Sequence, residues 1–255
     1  MSNKIVVANW KMKLSIKDSV ALAEKYKTKF NKLKGGEVVA CPSPVITSAV
    51  ADELKDGDVK LGAQNVFWED FGPYTGETCP QTLVDMGCEY VIVGHSERRK
   101  HLLENYSMIH KKVKAVLNVE GLTPIVCIGE EMEEKKSDKR DFVLIEQMQS
   151  ALSGLNIVPG QNIIVAYEPV WAIGSGITIK PEEAEYAHKI IKLTLNDIFG
   201  PQIASENFRI IYGGSISSDN VDKFSGLEGV DGLLVGGASM KVDEFNKIVQ
   251  TILKA

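Results

Sequence analysis

The sequence predicts an α/β protein folded as one closed (β/α)8 barrel over residues 1–255. Eight short runs of β-branched and other apolar residues recur along the chain, and segments with helical spacing lie between them. The runs begin about 22 to 46 residues apart, which is the length of one β-α unit. No linker rich in proline, glycine or serine divides the chain, so the pattern indicates a single domain. A doubly wound open sheet with extra strands is the alternative.

The predicted strands are short. Several are apolar at every position instead of alternating, which is typical of strands covered on both faces of a parallel sheet. They are expected at residues 5–8, 38–41, 59–63, 90–93, 124–128, 163–167, 208–212 and 232–235.

Predicted helices occupy the segments between the strands. The first covers residues 15–33, where apolar side chains recur on one face at Ile16, Val20, Ala23 and Phe30. Another begins at Pro181, where proline and two glutamates form a helix-start signal, and runs to residue 198. The remaining helices are expected at residues 45–54, 80–87, 105–119, 138–153, 218–224 and 240–254.

Composition excludes several classes of protein. The chain is 44% hydrophobic and 25% charged, which is typical of a globular protein and excludes disorder, collagen and coiled coil. Its 29 basic and 34 acidic residues give a formal net charge of −5. Mild acidity argues against nucleic acid or a membrane as the main partner, so an anionic substrate must be held by local groups.

The cysteines and histidines give no metal or cofactor signal. Four cysteines lack CxxC spacing, so we expect buried reduced thiols in a cytoplasmic protein; they are Cys41, Cys79, Cys88 and Cys127. The four histidines show no metal-ligand spacing, and neither a P-loop nor a GxGxxG motif occurs. No signal peptide or membrane-spanning run is expected.

In a barrel, chemistry gathers where the strands end at their carboxyl termini. Glycine pairs follow the last two predicted strands, at residues 213–214 and 236–237, and Ser215 adds a hydroxyl. Glycine lets backbone N–H groups approach an anion closely, so the two pairs together predict a phosphate site. Each pair taken alone is more often a simple turn.

Three charged or titratable residues also follow strands. Glu168 comes after a fully apolar run, and a carboxylate at the rim of a low-dielectric interior suits a general base; the alternative is a capping or salt-bridged glutamate. His95 precedes a helix start at residue 96, whose dipole disfavours the imidazolium, although it could also be structural. Lys11 could stabilise a phosphate or a developing oxyanion, or only extend along the rim.

Six motifs resemble those of the triosephosphate isomerase family, in the family's order and spacing along the whole chain. They lie at residues 9–11, 75–77, 94–99, 167–176, 212–215 and 236–239. The resemblance implies a TIM barrel, a homodimer and cofactor-free interconversion of dihydroxyacetone phosphate and D-glyceraldehyde 3-phosphate, an isomerase step of glycolysis and gluconeogenesis. It also implies that the loop around Thr75 forms the dimer contact.

The same resemblance implies a role for each matching residue. Glu168 is expected to be the base and His95 the neutral electrophile. Asn9 and Lys11 are expected to bind substrate, and Glu97 to hold Lys11 or relay a proton. The phosphate is expected to contact Gly174, Ser215, Gly236 and Gly237.

The resemblance further implies a lid at residues 169–176 that closes over the reaction and excludes water. The chain departs from the common family pattern at Ser175, where threonine is usual. It also departs at the lid exit, residues 177–179, where Ile179 replaces a smaller residue. We expect this change to affect the rate at which the lid closes. Pro73 and Tyr74 alter the tip of the loop around Thr75. We expect this change to affect the affinity between the two subunits of the dimer.

Two other functions fit parts of the pattern. One is a Schiff-base aldolase that uses Lys11 on the same phosphate-binding barrel, but the carboxylate after the sixth strand favours proton abstraction instead. The other is a non-catalytic scaffold, which would not require this combination of Asn9, Lys11, His95 and Glu168.

Overall fold

A computed structural model describes residues 4–254, and its eight parallel strands close into a barrel in chain order. The last strand pairs with the first, with Ile5 opposite Gly232, so the barrel is confirmed and an open sheet is excluded. The strands are β1 (Lys4–Asn9), β2 (Gly36–Cys41), β3 (Lys60–Ala63), β4 (Cys88–Val93), β5 (Thr123–Ile128), β6 (Ile163–Tyr167), β7 (Phe208–Tyr212) and β8 (Gly232–Val235). Each coincides with a predicted run.

Helices surround the barrel. They are α1 (Ile16–Lys29), α2 (Thr47–Leu54), α3 (Pro80–Asp85), α4 (Ser96–Leu102), α5 (Tyr106–Leu117), α6 (Met132–Lys136), α7 (Arg140–Leu152), α8 (Pro181–Phe199), α9 (Pro201–Asn207), α10 (Asp222–Ser225) and α11 (Val242–Lys254). Single 3-10 turns lie at Pro44–Ile46, Val170–Ala172 and Gly237–Met240. The sequence predicted no helix at α9, and for α4 it gave only a start at residue 96.

Local capping explains where several helices begin. The Ser15 hydroxyl accepts the Asp18 N–H at 3.1 Å at the start of α1, and the Asn105 side chain accepts the Met108 N–H at 3.0 Å at the start of α5. These side chains satisfy backbone donors that have no partner inside the helix. Proline is the first residue of α8, as predicted, because the first helical position needs no N–H donor.

Apolar side chains fill the barrel and the layer between strands and helices. One cluster lies inside the barrel and contains Ile5, Val7, Val39, Cys41, Tyr90, Ile92, Ile125, Cys127, Ile164, Ala166, Ile211 and Leu234. A larger cluster joins the outer face of the strands to the helices. The strands are therefore buried on both faces, which is why their sequences do not alternate.

The four cysteines are buried and free of disulfides, as the sequence predicted. Burial raises the pKa of the Cys88 thiol to about 12, and it also raises the pKa of Cys41. These thiols therefore stay protonated and pack as small apolar groups. Among the helices in residues 4–254, none is both long and apolar enough to span a bilayer.

Candidate active site

A cavity of about 280 Å³ opens at the carboxyl ends of the strands. It brings together eight of the nine predicted site residues: Asn9, Lys11, His95, Glu168, Gly174, Ser215, Gly236 and Gly237. The ninth, Glu97, lies behind Lys11 and lines a neighbouring cavity instead. Lys13, Lys241 and Glu244 also line the main cavity, and sequence reasoning had not singled them out.

Glu168 lies directly after β6 with its side chain 1% exposed. Its backbone N–H donates to the Ile128 carbonyl at 2.7 Å, which continues the pairing of β6 with β5. Carboxylate atom Oε2 accepts the Ser96 N–H at 3.1 Å. Atom Oε1 lies 3.1 Å from His95 Nε2, yet among the described residues it accepts no well-aligned hydrogen bond. One carboxylate oxygen is thus anchored, and the other keeps lone pairs available for a proton.

His95 is buried at the first turn of α4, where its ring caps the helix. Nδ1 accepts the Glu97 N–H at 3.2 Å, so this nitrogen must carry a lone pair. The ring that makes this bond is neutral, with its proton on Nε2, the nitrogen nearest Glu168. His95 is therefore arranged to donate a hydrogen bond without carrying a charge.

Lys11 has a left-handed backbone with φ of 53°. Its N–H donates to Asn9 Oδ1 at 3.0 Å, and its carbonyl accepts Gln64 Nε2 at 3.0 Å, so polar side chains stabilise this unusual conformation. Its ammonium lies 2.5 Å from Glu97 Oε1. Burial alone would raise the pKa of Glu97, but the Lys11 ammonium outweighs it and holds the pKa below its usual range. Glu97 thus holds the Lys11 side chain from outside the main cavity.

Two glycines leave room for Glu168, Gly213 for its side chain and Gly129 for its backbone. A Cβ at Gly213 would lie 3.0 Å from Glu168 Cγ, and a Cβ at Gly129 would lie 1.6 Å from the Glu168 carbonyl oxygen. Sequence reasoning placed Gly213 in the predicted phosphate site, with a simple turn as the alternative, and gave Gly129 no role. The sequence signal for both is their position, because each glycine directly follows a strand that pairs with β6, the strand that directly precedes Glu168.

The predicted phosphate site forms one wall of the cavity. Ser215 follows β7, and Gly236 and Gly237 follow β8 at the start of a 3-10 turn. A Cβ at Gly236 would lie 3.4 Å from Lys11 Cε, so glycine lets the lysine side chain lie close to this wall. Small residues, a hydroxyl and an ammonium on one wall suit an anion such as phosphate.

The segment predicted as a lid, residues 169–176, is held at its start by Glu130. The Val170 N–H donates to the Glu130 carbonyl at 3.1 Å, and Trp171 Nε1 donates to Glu130 Oε1 at 2.9 Å. Burial raises the pKa of Glu130, and its hydrogen-bond partners offset this only in part. Further along, Ile173 and Gly174 reach the cavity wall. The segment therefore contacts both the barrel rim and the cavity.

Comparison with known proteins decides the family. The family model described as triosephosphate isomerase matches residues 4–252. The chain belongs to the triosephosphate isomerase family. A triosephosphate isomerase from Dictyoglomus turgidum is 42% identical over 98% of this chain and 100% of its own length. Those from Syntrophotalea carbinolica and Rhodopirellula baltica are each 41% identical over 98% of both chains.

Proposed function

We propose that this protein interconverts dihydroxyacetone phosphate and D-glyceraldehyde 3-phosphate through an enediolate, without a cofactor. The observation that carries the proposal is the Glu168–His95 pair, with Oε1 3.1 Å from Nε2 in the cavity that also holds the glycine wall. A base and a neutral hydrogen-bond donor side by side suit proton transfer next to a carbonyl. The matching of family and relatives along nearly the whole chain supports the same reaction.

In the proposed reaction, Glu168 Oε1 takes a proton from the carbon next to the carbonyl. The electron pair of that C–H bond forms the C=C bond of the enediolate, and the carbonyl π electrons move to oxygen. His95 Nε2–H polarises that oxygen and moves protons between the two enediolate oxygens. Glu168 then returns a proton to the neighbouring carbon, so no atom is gained or lost. Asn9 and the Lys11 ammonium bind the substrate, and the ammonium stabilises the negative charge.

The phosphate would be held by Gly174, Ser215, Gly236 and Gly237 on the opposite wall. An enediolate phosphate exposed to water can eliminate its phosphate, so the reaction needs a cover. We assign that cover to residues 169–176, whose Ile173 and Gly174 already reach the cavity. Glu97 would keep the Lys11 ammonium in place through their 2.5 Å contact.

The direct test is a coupled assay with D-glyceraldehyde 3-phosphate on the wild type and on Glu168→Gln. The variant should lose turnover by at least about a thousandfold, because the amide cannot take the proton, while inorganic phosphate still binds. Glu120→Gln, at an exposed position, is the matched control and should retain full activity. A wild-type rate in Glu168→Gln would contradict the assignment of the base.

The Schiff-base alternative is disfavoured by the surroundings of Lys11. Its Nζ lies 2.5 Å from a Glu97 carboxylate oxygen, so the nitrogen that a Schiff base requires as nucleophile is held in an ion pair. Borohydride added with substrate should therefore leave Lys11 unmodified. A reduced adduct on Lys11 would favour the aldolase.

We further propose a homodimer formed through the loop around Thr75. A second cavity of about 450 Å³ shares Asn9, Lys11 and His95 with the site. Large apolar side chains near it are exposed, including Met12 (91%) and Val45 (87%). An exposed apolar surface beside an active site is typical of a subunit interface, and a partner's loop seated there would cover the outer wall of the site.

Sedimentation tests the dimer. Val45→Glu should shift the protein toward monomers and lower its activity, because it places a charge in the proposed interface. Val158→Glu, which charges an exposed apolar residue near the opposite ends of the strands, is the control. Equal sedimentation of both variants and wild type as dimers would refute the interface.

We also propose that residues 1–255 form one domain and that the protein acts in the cytoplasm, in glycolysis and gluconeogenesis. Closure of the barrel by β1 and β8 supports one domain, since both ends of the chain contribute to the same sheet. Buried free thiols support a reducing compartment. Limited proteolysis should release no stably folded fragment; recovery of one would refute the single domain.

A further inference from the structure

Asn220 lies in the turn that follows β7, outside the wall of the cavity, where it contacts two functional segments. Its Oδ1 accepts the Ser217 N–H at 2.9 Å. Its Nδ2 donates to the Ser215 carbonyl at 3.0 Å and lies 3.5 Å from Thr178 Oγ1. One amide group thus contacts the backbone beside the proposed phosphate site and the chain two residues beyond the lid.

We propose that Asn220 is a positioning residue that fixes the phosphate wall and ties it to the lid exit, and so sets affinity for the phosphate of the substrate. The inference rests on the proposed function, because it takes Ser215 as a phosphate contact. It adds a residue that does not itself line the cavity and that acts through Ser215 and Thr178.

The chemistry of the amide suits this role. A carboxamide offers an acceptor and two donor hydrogens on one planar group, and here its oxygen contacts one partner and its nitrogen two. The acceptor and one donor bond to Ser217 and Ser215, two residues of the same turn. Fixing both fixes the orientation of the Ser215 backbone within the turn after β7, and so helps to place its hydroxyl on the cavity wall.

The turn itself does not depend on the amide. The backbone N–H groups of Asn220 and Val221 both donate to the Ser217 carbonyl, at 3.3 and 3.1 Å. Ile216 and Val221 are buried and anchor the segment in the core. A variant that shortens the Asn220 side chain should therefore fold and keep the turn, while the Ser215 carbonyl loses its partner.

The experiment compares Asn220→Ala and Asn220→Asp with wild type in the full-length chain. Asn220→Asp keeps the acceptor for Ser217 but removes both donors. Ser218→Asp, which adds a charge on the same turn without touching these bonds, is the control. The readouts are the Kd of inorganic phosphate, KM and kcat with D-glyceraldehyde 3-phosphate, and turnover of D-glyceraldehyde, which has no phosphate.

Both variants should weaken phosphate binding and raise KM by about fivefold to thirtyfold, the effect of losing one or two net hydrogen bonds. The kcat should change by less than about twofold, and turnover of D-glyceraldehyde should not change. Unchanged phosphate affinity in Asn220→Ala would overturn the proposal. An equal loss with both substrates would overturn it too, because it would indicate a purely structural role.

A double-mutant cycle with Thr178→Val tests the tie to the lid exit. If Asn220 and Thr178 are coupled, the double variant Asn220→Ala, Thr178→Val should change log KM by less than the sum of the changes in the two single variants. Strict additivity would overturn this part of the proposal. Phosphate binding does not require turnover, so the Kd of phosphate tests this inference separately from the proposed function. Failure of the proposed function would instead appear as a wild-type protein that does not isomerise D-glyceraldehyde 3-phosphate.

Discussion

Replacing Lys112 with methionine should destabilise the fold by breaking a buried charge network. Lys112 Nζ lies 2.6 Å from Glu104 Oε2 with both side chains at most 2% exposed, and it donates to Asn65 Oδ1 at 2.7 Å. The Glu104 carboxylate also lies 2.6 Å from Arg98 Nε and accepts the Gly94 N–H at 3.1 Å. The network therefore joins the end of β4, the start of α4 and helix α5.

The magnitude follows from what each substitution leaves behind. Breaking a buried ion pair by removing one partner costs about 3 to 5 kcal/mol. Lys112→Met leaves Glu104 with Arg98 and the Gly94 N–H, so we expect about 3 kcal/mol. Glu104→Gln leaves Lys112 buried with only a neutral amide, so we expect about 5 kcal/mol. For a chain of this length, the first value corresponds to a fall in Tm of roughly 6 to 12 °C.

The effect should depend on pH. Burial alone would raise the pKa of Glu104, but Lys112 and Arg98 outweigh it and hold the pKa below its usual range. A carboxyl group with a lowered folded pKa stabilises the protein above its unfolded pKa of about 4.3, and loses that contribution as pH falls through the folded pKa. The difference between wild type and Lys112→Met should therefore be full at neutral pH and shrink below about pH 4.

Urea unfolding at matched protein concentration measures this difference, since the apparent stability of the proposed dimer would depend on concentration. Lys60→Met is the control: Lys60 lies 3.0 Å from Glu89, but both side chains are more than a third exposed, so the loss should stay below about 1 kcal/mol. If Lys112→Met and Lys60→Met cost the same, the reasoning from burial is refuted.

Three further predictions concern the site. Gly213→Ala should lower kcat about tenfold at an unchanged unfolding midpoint, because its Cβ would lie 3.0 Å from Glu168 Cγ; an unchanged kcat would show that the carboxylate tolerates displacement. Trp171→Phe removes the donor to Glu130, so protease cleavage within residues 169–176 should accelerate, and equal cleavage would contradict that anchoring role. Lys13→Met should lower kcat/KM severalfold at low salt and hardly at all near about 1 M salt, whereas a salt-independent loss would exclude electrostatic attraction of the substrate.

The barrel was predictable because strands buried on both faces have a distinctive composition. The run at β6 is apolar or aromatic throughout, and every residue of Ile163–Tyr167 is buried. Short helices were not predictable in the same way. Helices α6 and α9 have five and seven residues, too few for an amphipathic repeat, and α6 buries none of its side chains. Their existence depends on tertiary contacts and capping rather than on periodicity.

The site was predictable to the extent that its side chains follow strands. Glu168, His95 and Lys11, which line one cavity, were predicted as candidates in this way, aided by the family motifs. The anchoring of Glu168 by the Ser96 N–H was not, because it joins backbone after β4 to a side chain after β6. The requirement for glycine at position 129 was also missed, since it depends on the clearance between neighbouring strands.

Isomerisation of D-glyceraldehyde 3-phosphate in D2O tests the central assignment most directly. If Glu168 carries the proton between the two carbons, wild-type product should contain deuterium at the receiving carbon, because the carboxyl proton exchanges with solvent. Glu168→Gln should give neither product nor deuterated substrate above the uncatalysed rate while still binding inorganic phosphate. Deuterium incorporation by Glu168→Gln at the wild-type rate would contradict the account.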